Sequence, residues 1–263
     1  MVHRTHVLVL LFCLILSFMA CTTTVKFKRE IPSRAETLIL TGKLTKPEGQ
    51  GPFPALVLLH ACDGLREDVY LPWMKRLRTW GYVALLVDSF GPRGEFNLCA
   101  DERNLLIPPE ERALDAHYAK AYLATLPFVD SGRIGVMGWS HGGTSTLEAL
   151  KDGPRQEAVA MPFRAGVAFY PYCAQSRFVN LKAPLLVMIG EEDDWVPAYR
   201  CKDYVQEAGE NDERILKVYP GACHGFDLPI IGQRYRGHWL QYDSEAASDA
   251  YARVREFFLK HLK

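Results

Sequence analysis

The sequence predicts a single α/β domain built on a mostly parallel, doubly wound sheet with helices on both faces. Short continuous apolar runs recur along the chain, and stretches with helical spacing alternate with them. Strands that are apolar on both faces are typical of parallel sheets covered on both sides. The length of 263 residues and the 48% content of hydrophobic residues suit one such domain.

The first elements follow a polar linker that ends near residue 33. AETLILTGKLTKP has the pattern of an edge strand, and PFPALVLLH is a short buried strand. DVYLPWMKRLRTWG has helical spacing that stops at Gly81, and YVALLVDSF predicts the next strand. In PPEERALDAHYAKAYLATLP, the prolines and acidic residues at the beginning favour a helix start.

The second half continues the alternation. RIGVMGWS predicts a strand, and a helix follows from His141. FRAGVAFYP, APLLVMIG and ERILKVYP predict three more strands, with the helical segment PAYRCKDYVQEAG between the last two. DSEAASDAYARVREFFLKHLK predicts a final amphipathic helix. Because the composition does not change after the linker, we expect one domain over residues 34–263.

The N-terminus has the features of an export signal. MVHRTH is a short basic start, and the apolar run VLVLLFCLILSFMA is shorter than the roughly 20 residues of a transmembrane span. Ala20 precedes Cys21 as in the lipobox of bacterial lipoproteins, although Phe18 stands where Leu is usual. We therefore expect a lipoprotein-type signal peptide over residues 1–20, a linker over 21–33, and a periplasmic or Cys21-anchored bacterial protein. Ordinary cleavage near Ala20 and an uncleaved anchor are the alternatives.

Charge and motifs restrict the partners. Because 31 basic and 31 acidic residues balance and no basic stripe is present, the sequence does not favour binding to nucleic acid. The H-E-x-x-H, P-loop and G-x-G-x-x-G patterns do not occur, so neither a metal nor another cofactor is predicted. A small-molecule substrate fits better, and the sequence does not indicate the oligomeric state.

Five cysteines lie beyond the signal region and its end. Disulfides form in oxidising compartments, and the pairs expected here are Cys173–Cys201 and Cys62–Cys99, which leaves Cys223 over. The alternative is five buried thiols that pack as small hydrophobic groups. The absence of a C-x-x-C pattern disfavours a zinc ribbon or a thioredoxin site.

The segment GWSHG lies between a predicted strand and a predicted helix. The pattern G-x-S-x-G in this position is typical of a strained turn that exposes a serine nucleophile, here Ser140. A serine needs a base within hydrogen-bond reach, and the base needs an acid that orients it. The chain order Ser, acid, His leaves His224, His238 and His261 as bases. His224 follows a predicted strand closely and is therefore expected on the rim where strands end.

The acid and the oxyanion donors come from two other strand ends. GEEDDWVP supplies four adjacent carboxylates, and spacing alone does not choose between Asp193 and Asp194. The oxyanion of an acyl-transfer intermediate needs two backbone N–H groups. His141, directly after the serine, supplies one, and Cys62 or Ala61 in HACDG supplies the other. Cys62 is an alternative nucleophile, but the sequence around it does not have the pattern of the turn that exposes Ser140.

Together these segments resemble the dienelactone hydrolase family of α/β-hydrolases from about residue 35 onward. The segments that carry the resemblance are LLHACDGL, LVDSFGPRG, GVMGWSHGG, FYPYC, IGEEDDWVPA and YPGACHGFD. The resemblance implies an α/β-hydrolase fold and a carboxylic ester hydrolase. The family pattern G-x-x-D-x-x-V-P selects Asp193, its H-x-F supports His224, and its oxyanion loop supports Cys62. In some members an arginine binds a substrate carboxylate, and the counterpart is Arg93, unless it forms a surface salt bridge.

Two departures affect the expected chemistry. The namesake enzymes use a cysteine nucleophile and carry a glutamate in the oxyanion-side loop, where this chain has Ser140 and Ala61. We therefore expect a serine esterase that cleaves small esters or lactones through an acyl-enzyme. The alternatives are a serine peptidase of the same fold and a non-catalytic exported binding protein.

The walls of the site are also predicted. PYCAQSRFVNLKA is too short to hold a helical cap domain, so we expect an open site walled by the loops GPRGEFNLCADERNLLIPP and GFDLPIIGQRYRGHWLQYD. Trp139, Tyr172, Trp195 and Phe226 are candidate walls of an apolar pocket, although aromatic residues are as often part of the core.

Overall fold

The structure is a computed structural model that describes residues 22–31, 35–100, 106–151, 162–173, 180–209 and 212–262. The predicted signal peptide over 1–20 and the predicted lipidation site Cys21 lie outside the described residues. Within the described residues, we find no helix long and apolar enough to span a membrane.

In the part of the chain that the structure describes, an eight-stranded sheet forms the centre, with the strand order β1-β2-β4-β3-β5-β6-β7-β8. β1 and β2 are antiparallel to their neighbours, and the other pairings are parallel. The strands are β1 (Thr23–Ile31), β2 (Glu36–Thr45), β3 (Phe53–Leu59), β4 (Val83–Asp88), β5 (Val129–Trp139), β6 (Gly166–Phe169), β7 (Leu185–Gly190) and β8 (Arg214–Tyr219). This confirms the predicted mostly parallel sheet.

Helices cover both faces of this sheet. In β3 every residue from Ala55 to Leu59 is buried, and because successive side chains point to opposite faces, both faces must be covered. Among the described residues, the α-helices are α1 (Glu67–Thr79), α2 (Pro109–Ala124), α3 (His141–Leu150), α4 (Ala198–Gln206) and α5 (Ser244–His261). α1 and α5 meet through Trp73 and Tyr251, whose ring centroids are 4.9 Å apart. α2 and α3 pack against each other.

The N-terminal region differs from the expectation of a linker over residues 21–33. Residues Thr23–Ile31 form β1, which pairs antiparallel with β2 and makes β1, not β2, the edge of the sheet. This segment forms a strand because every second side chain faces the protein: Val25, Phe27 and Arg29 point inward, and the residues between them are exposed. Arg29 is buried and ion-paired with Asp115 and Glu111 on α2. A charged side chain therefore occupies an inward position where an apolar one is expected, which hides the strand pattern in the sequence.

Both predicted disulfides are confirmed. Cys62–Cys99 joins the loop after β3 to the loop after β4, and Cys173–Cys201 joins the segment after β6 to α4. Cys223 is a free thiol. Disulfides are typical of proteins that leave the reducing cytosol, so these two bonds support export.

A short hairpin follows β8 and was not predicted. β9 (Gln233–Tyr235) and β10 (His238–Leu240) pair antiparallel within the loop that the sequence marked as a wall of the site. Leu240 forms a bridge with His224, and the Gln241 N–H donates to the His224 carbonyl at 3.3 Å. The hairpin is thus attached to the segment that carries the predicted base.

Candidate active site

Ser140 occupies the turn between β5 and α3. Its φ of 52° and ψ of −117° lie in a region that non-glycine residues rarely adopt. The flanking glycines allow this turn to pack closely. A Cβ at Gly138 would lie 2.1 Å from the Gly142 carbonyl oxygen, and a Cβ at Gly142 would lie 2.1 Å from the Leu59 carbonyl oxygen. The two glycines of G-x-S-x-G are therefore needed for the close approach of β5, β3 and α3.

His224 lies in the loop after β8 and reaches both Ser140 and Asp193. Its Nε2 is 3.1 Å from Ser140 Oγ, and its Nδ1 is 2.7 Å from Asp193 Oδ2. An ionised carboxylate only accepts, so Nδ1 carries the proton and donates to Asp193. Nε2 then presents its lone pair to the Ser140 hydroxyl, as a general base requires.

The geometry separates the two aspartates that spacing left open. Asp193 is buried, and its second oxygen, Oδ1, accepts the backbone N–H groups of Trp195 at 3.0 Å and Val196 at 2.8 Å. Asp194 is exposed and instead accepts the backbone N–H of Trp239 at 3.0 Å. The first aspartate therefore faces the imidazole, and the second holds the β9–β10 hairpin.

The loop after β3 carries the second expected oxyanion donor. The Ala61 N–H donates to the Tyr70 hydroxyl at 2.8 Å and is already used. Cys62 is the next residue, and its sulfur is bonded to Cys99, so it carries no thiolate that could act as a nucleophile. His141 begins α3, where the first backbone N–H groups have no partner within the helix.

A pocket of about 40 Å³ opens beside Ser140 and His224. Besides Ser140 and His224, its walls include the carboxylate of Asp63, the Cys62–Cys99 disulfide and a set of apolar and aromatic side chains. These are Tyr170, Trp195, Leu228, Ile230, Tyr235 and Leu240.

The two predicted wall loops meet where Asn97 Nδ2 donates to the Tyr235 hydroxyl at 2.9 Å. The Trp195 ring also stacks on His238, with ring centroids 4.8 Å apart. These contacts hold the loops together at the rim of the pocket.

Three of the four aromatic residues expected at the pocket do not line it. Trp139 and Phe226 are fully buried in the core, because each side chain points below the rim and packs on Phe169. Tyr172 packs against the guanidinium of Arg200, at 5.4 Å from the ring centroid. Trp195 is the one of the four in the pocket wall.

Arg93 is bound by a carboxylate of the protein and does not line the pocket. Its two guanidinium nitrogens donate to the two oxygens of Asp115, both at 2.9 Å, and Nη1 also donates to the Ser89 carbonyl at 2.6 Å. The side chain is 18% exposed, and Asp115 is fully buried. The salt-bridge alternative therefore describes Arg93 better than carboxylate binding in the pocket.

Sequence reasoning missed a buried cluster around Asp227, three residues after His224. Asp227 Oδ2 accepts the indole N–H groups of Trp73 at 2.7 Å and Trp139 at 2.9 Å, and Oδ1 accepts the Tyr170 hydroxyl at 2.8 Å. Burial raises the pKa of Asp227 to about 6, although these three hydrogen bonds oppose the shift. The ring centroids of Tyr170 and His224 are 4.5 Å apart, so the cluster holds in place an aromatic ring that packs on the imidazole of His224. The signal available in the sequence was the acidic residue that ends the segment HGFD, three residues after His224.

Comparison with known proteins identifies the family. The sequence profile described as "Dienelactone hydrolase family" matches residues 40–262. The chain belongs to the dienelactone hydrolase family. As a member, it has the α/β-hydrolase fold and is a carboxylic ester hydrolase, which confirms the predicted fold and enzyme class.

Three known proteins illustrate the similarity. A Bradyrhizobium protein named as a 2-oxo-3-(5-oxofuran-2-ylidene)propanoate lactonase is 24% identical over 195 residues, which cover 70% of this chain and 77% of that protein. A Synechocystis protein named as a carboxymethylenebutenolidase is 24% identical over 87% of this chain and 94% of its own. The solved structure of a dienelactone hydrolase-like promiscuous phosphotriesterase from metagenomic libraries has a TM-score of 0.71 and 20% identity. That alignment covers 92% of this chain and 99% of the other.

Proposed function

We propose that this dienelactone hydrolase family member cleaves small carboxylic esters or lactones by a serine mechanism. Ser140 is the nucleophile, His224 is the general base and then the general acid, and Asp193 orients His224. The observation that carries the proposal is the continuous hydrogen-bonded path from Ser140 Oγ through His224 to Asp193 beside the pocket. The reaction passes through an acyl-enzyme.

The first half-reaction forms the acyl-enzyme. Ser140 Oγ attacks the ester carbonyl carbon while His224 Nε2 takes the hydroxyl proton, and the imidazolium is stabilised by Asp193. The backbone N–H groups of Cys62 and His141 donate to the oxyanion of the tetrahedral intermediate. When the intermediate collapses, the bond to the alkoxy oxygen breaks, and His224 returns its proton to that oxygen. An ester releases an alcohol, whereas a lactone keeps the new hydroxyl on the acyl chain.

The second half-reaction releases the acid. His224 takes a proton from water, and the water oxygen attacks the acyl carbonyl and forms a second tetrahedral intermediate in the same oxyanion hole. Its collapse breaks the bond to Ser140 Oγ, which receives the proton back from His224. No redox change occurs in either half, so water is the only co-reactant needed.

The pocket favours short, uncharged acyl groups. A volume of about 40 Å³ is room for roughly three water molecules, and its walls are mostly apolar. The Bradyrhizobium and Synechocystis relatives are named for carboxylate-bearing lactones, but the counterpart arginine, Arg93, is here hydrogen-bonded to Asp115. A substrate carboxylate would instead meet Asp63 in the pocket wall. Neutral short esters therefore fit better than anionic ones.

The test is hydrolysis of p-nitrophenyl acetate, butyrate and octanoate, combined with labelling by a fluorophosphonate probe. We expect the shortest esters to react fastest, and Ser140→Ala and His224→Ala to lower kcat by roughly 10⁴-fold or more. Ser145→Ala is the matched control, because Ser145 lies on α3 and its hydroxyl only donates to the His141 carbonyl. The control should keep both the label and the activity.

Other outcomes favour the rival functions. Labelling at Ser140 with cleavage of short peptides and no cleavage of esters would support a peptidase. Neither labelling nor turnover of any ester or lactone would support a binding protein and contradict the proposal. Activity that survives Ser140→Ala would show that the turn only has a structural role.

We also propose export through the N-terminal segment, with lipidation at Cys21. The two disulfides support an oxidising compartment. Mass spectrometry of the N-terminal peptide after expression in a bacterium tests this proposal. A diacylated Cys21 supports a lipoprotein, a free new N-terminus near Ala20 supports a periplasmic protein, and an intact Met1 contradicts cleavage.

A further inference from the structure

Arg112 is a fully buried arginine that the proposed reaction does not use. It lies in the first turn of α2 and is 0% exposed. Its Nη1 is 2.7 Å from His141 Nδ1, and its Nη2 donates to the His60 carbonyl at 2.7 Å. The guanidinium also packs on Phe90, at 4.9 Å from the ring centroid. A buried guanidinium is costly unless its position provides such partners.

These two contacts belong to the two arms of the proposed oxyanion hole. His141 is the residue whose backbone N–H forms one donor, at the beginning of α3. His60 follows β3 directly and lies two residues before Cys62, whose backbone N–H forms the other donor. One side chain therefore connects the segments that must keep a fixed distance for both N–H groups to reach one oxygen.

The protonation states leave the positive charge on Arg112. Arginine has no acceptor, so His141 Nδ1 must accept and the His141 ring is neutral. Burial, followed by the nearby Arg112 charge, lowers the pKa of both His141 and His60 well below the usual range. Burial also lowers the pKa of Arg112, to about 10, which keeps the guanidinium protonated at neutral pH.

The acid with the largest electrostatic effect on Arg112 is not one of its hydrogen-bond partners. Asp115 lies one turn further along α2 and raises the pKa of Arg112 through its charge. Its two oxygens are hydrogen-bonded to the guanidinium groups of Arg29 and Arg93. The hydrogen bonds that Arg112 makes go to a neutral imidazole and a neutral carbonyl, so no carboxylate is bound directly to its guanidinium group, although Asp115 and Asp88 act on its charge from a distance.

We propose that Arg112 is a positioning residue of the oxyanion hole, which holds the Cys62 and His141 backbone donors in register and places a positive charge behind them. The inference rests on the proposed serine mechanism. It implies that Arg112 stabilises the tetrahedral intermediates more than the bound ester, since the carbonyl oxygen becomes negative only in the intermediates.

The test compares Arg112→Met and Arg112→Lys with a matched control. Arg214→Met is the control because Arg214 is also buried, donates to the Tyr204 carbonyl at 2.8 Å and packs on the Tyr204 ring at 4.2 Å, but lies on β8. Arg214 is in addition ion-paired with Asp212, so its loss should destabilise the fold at least as much as the loss of Arg112. For each variant, circular dichroism establishes folding. The kinetic measurements are kcat and KM for p-nitrophenyl acetate and Ki for a trifluoromethyl ketone, which adds to Ser140 and forms an oxyanion. Binding of the parent methyl ketone, which remains uncharged, gives the reference.

We expect Arg112→Met to lower kcat roughly 10²-fold, the size seen when one oxyanion donor is lost, with KM nearly unchanged. Ki for the trifluoromethyl ketone should rise by the same factor, and affinity for the methyl ketone should stay constant. Arg112→Lys keeps the charge without the two-pronged contact and should show a smaller loss. If Arg112→Met does not fold, the Lys variant still decides, because its kcat and trifluoromethyl ketone affinity must fall together.

Two results would overturn the inference. One is a folded Arg112→Met that keeps the wild-type kcat and trifluoromethyl ketone affinity. The other is an equal loss of affinity for both ketones, which would indicate general damage to the pocket. Failure of the proposed function looks different, because the wild-type protein would then hydrolyse no ester in a Ser140-dependent way.

Discussion

Two buried aspartates at neighbouring strand ends, Asp193 after β7 and Asp227 after β8, have different kinds of partner. Asp193 meets the imidazole of His224 and two backbone N–H groups. Asp227 meets only side chains that stay neutral, the indoles of Trp73 and Trp139 and the hydroxyl of Tyr170. Burial raises the pKa of that hydroxyl well above its usual value, so it remains a donor.

The difference shows that burial alone does not give a carboxylate its role. In the proposed mechanism His224 takes the Ser140 proton, and the Asp193 carboxylate then faces a new positive charge and stabilises it. The partners of Asp227 cannot gain a proton, so its three hydrogen bonds fix aromatic side chains beneath the site. The comparison therefore predicts a kinetic effect for one aspartate and a pH-dependent stability effect for the other.

The largest effect is expected for Asp193→Asn. The backbone N–H groups of Trp195 and Val196 hold one oxygen, so the amide NH₂ must face His224 Nδ1. His224 would then move its proton to Nε2 and could no longer accept the Ser140 proton. We expect kcat for p-nitrophenyl acetate to fall roughly 10⁴-fold, as a wrong tautomer does in serine proteases, with little loss of stability.

Glu192→Gln is the control for this experiment. Glu192 is exposed in the same acidic turn, and its hydrogen bond runs from its backbone N–H to the Ala222 carbonyl. Its kcat should stay near the wild-type value. A similar loss in both variants would mean that the charge of the turn matters, and not the contact between Asp193 and His224.

A smaller effect of a different kind is expected for Asp227→Asn. The folded pKa of Asp227, about 6, lies above the 3.8 that is usual for an aspartate in an unfolded chain, so the folded state binds the proton more tightly. The wild-type protein therefore gains stability relative to Asp227→Asn as the pH falls from 7 to 5 and loses that gain as the pH rises through 6. Linkage gives about 1 kcal/mol between pH 7 and 5. Guanidinium unfolding of both proteins at the two pH values measures it.

Asp130→Asn supplies the opposite case. A hydrogen bond from Arg133 lowers the pKa of Asp130 below 3.8, so the stability it contributes is lost only below that value. Its difference from the wild type should be constant between pH 7 and 5. A constant difference for Asp227→Asn as well would contradict the raised pKa of the buried carboxylate.

The sequence predicted the parts of the site that depend on order along the chain. In a parallel sheet the strand ends share one edge, so a residue placed directly after a strand is placed in space as well. Ser140, Asp193 and His224 meet for this reason, and Cys62 and Cys99 follow neighbouring strands β3 and β4. The positions of the apolar runs predicted which strand ends meet, whereas the choice of Asp193 over Asp194 needed the family pattern.

The sequence did not predict the parts that depend on contacts between charged side chains. In PPEERALDAHYAK the charges look like a solvated helix face, yet Arg112 and Asp115 are fully buried. Their partners come from β1, the loop after β4 and α3, and no local pattern reports such distant pairings. Asp115 also pairs with Arg29 and Arg93. Because these pairings are not visible in the sequence, the segment that forms β1 was predicted to be a polar linker, and Arg93 was predicted to bind a substrate.

The smallest effect is expected at Asp194, the exposed neighbour of Asp193. It accepts the Trp239 backbone N–H at 3.0 Å and so holds β10, whose Leu240 lines the pocket. Asp194→Ala removes an anchor of a pocket wall but changes no residue of the proposed triad, so kcat should stay constant and KM should rise. A hydrogen bond worth about 1 kcal/mol corresponds to roughly fivefold. Asp194→Asn keeps an acceptor oxygen and should retain the wild-type KM. Equal KM values for Asp194→Ala and the wild type would mean that the hairpin is held without this aspartate, whereas a fall in kcat would mean that the two neighbouring aspartates act together.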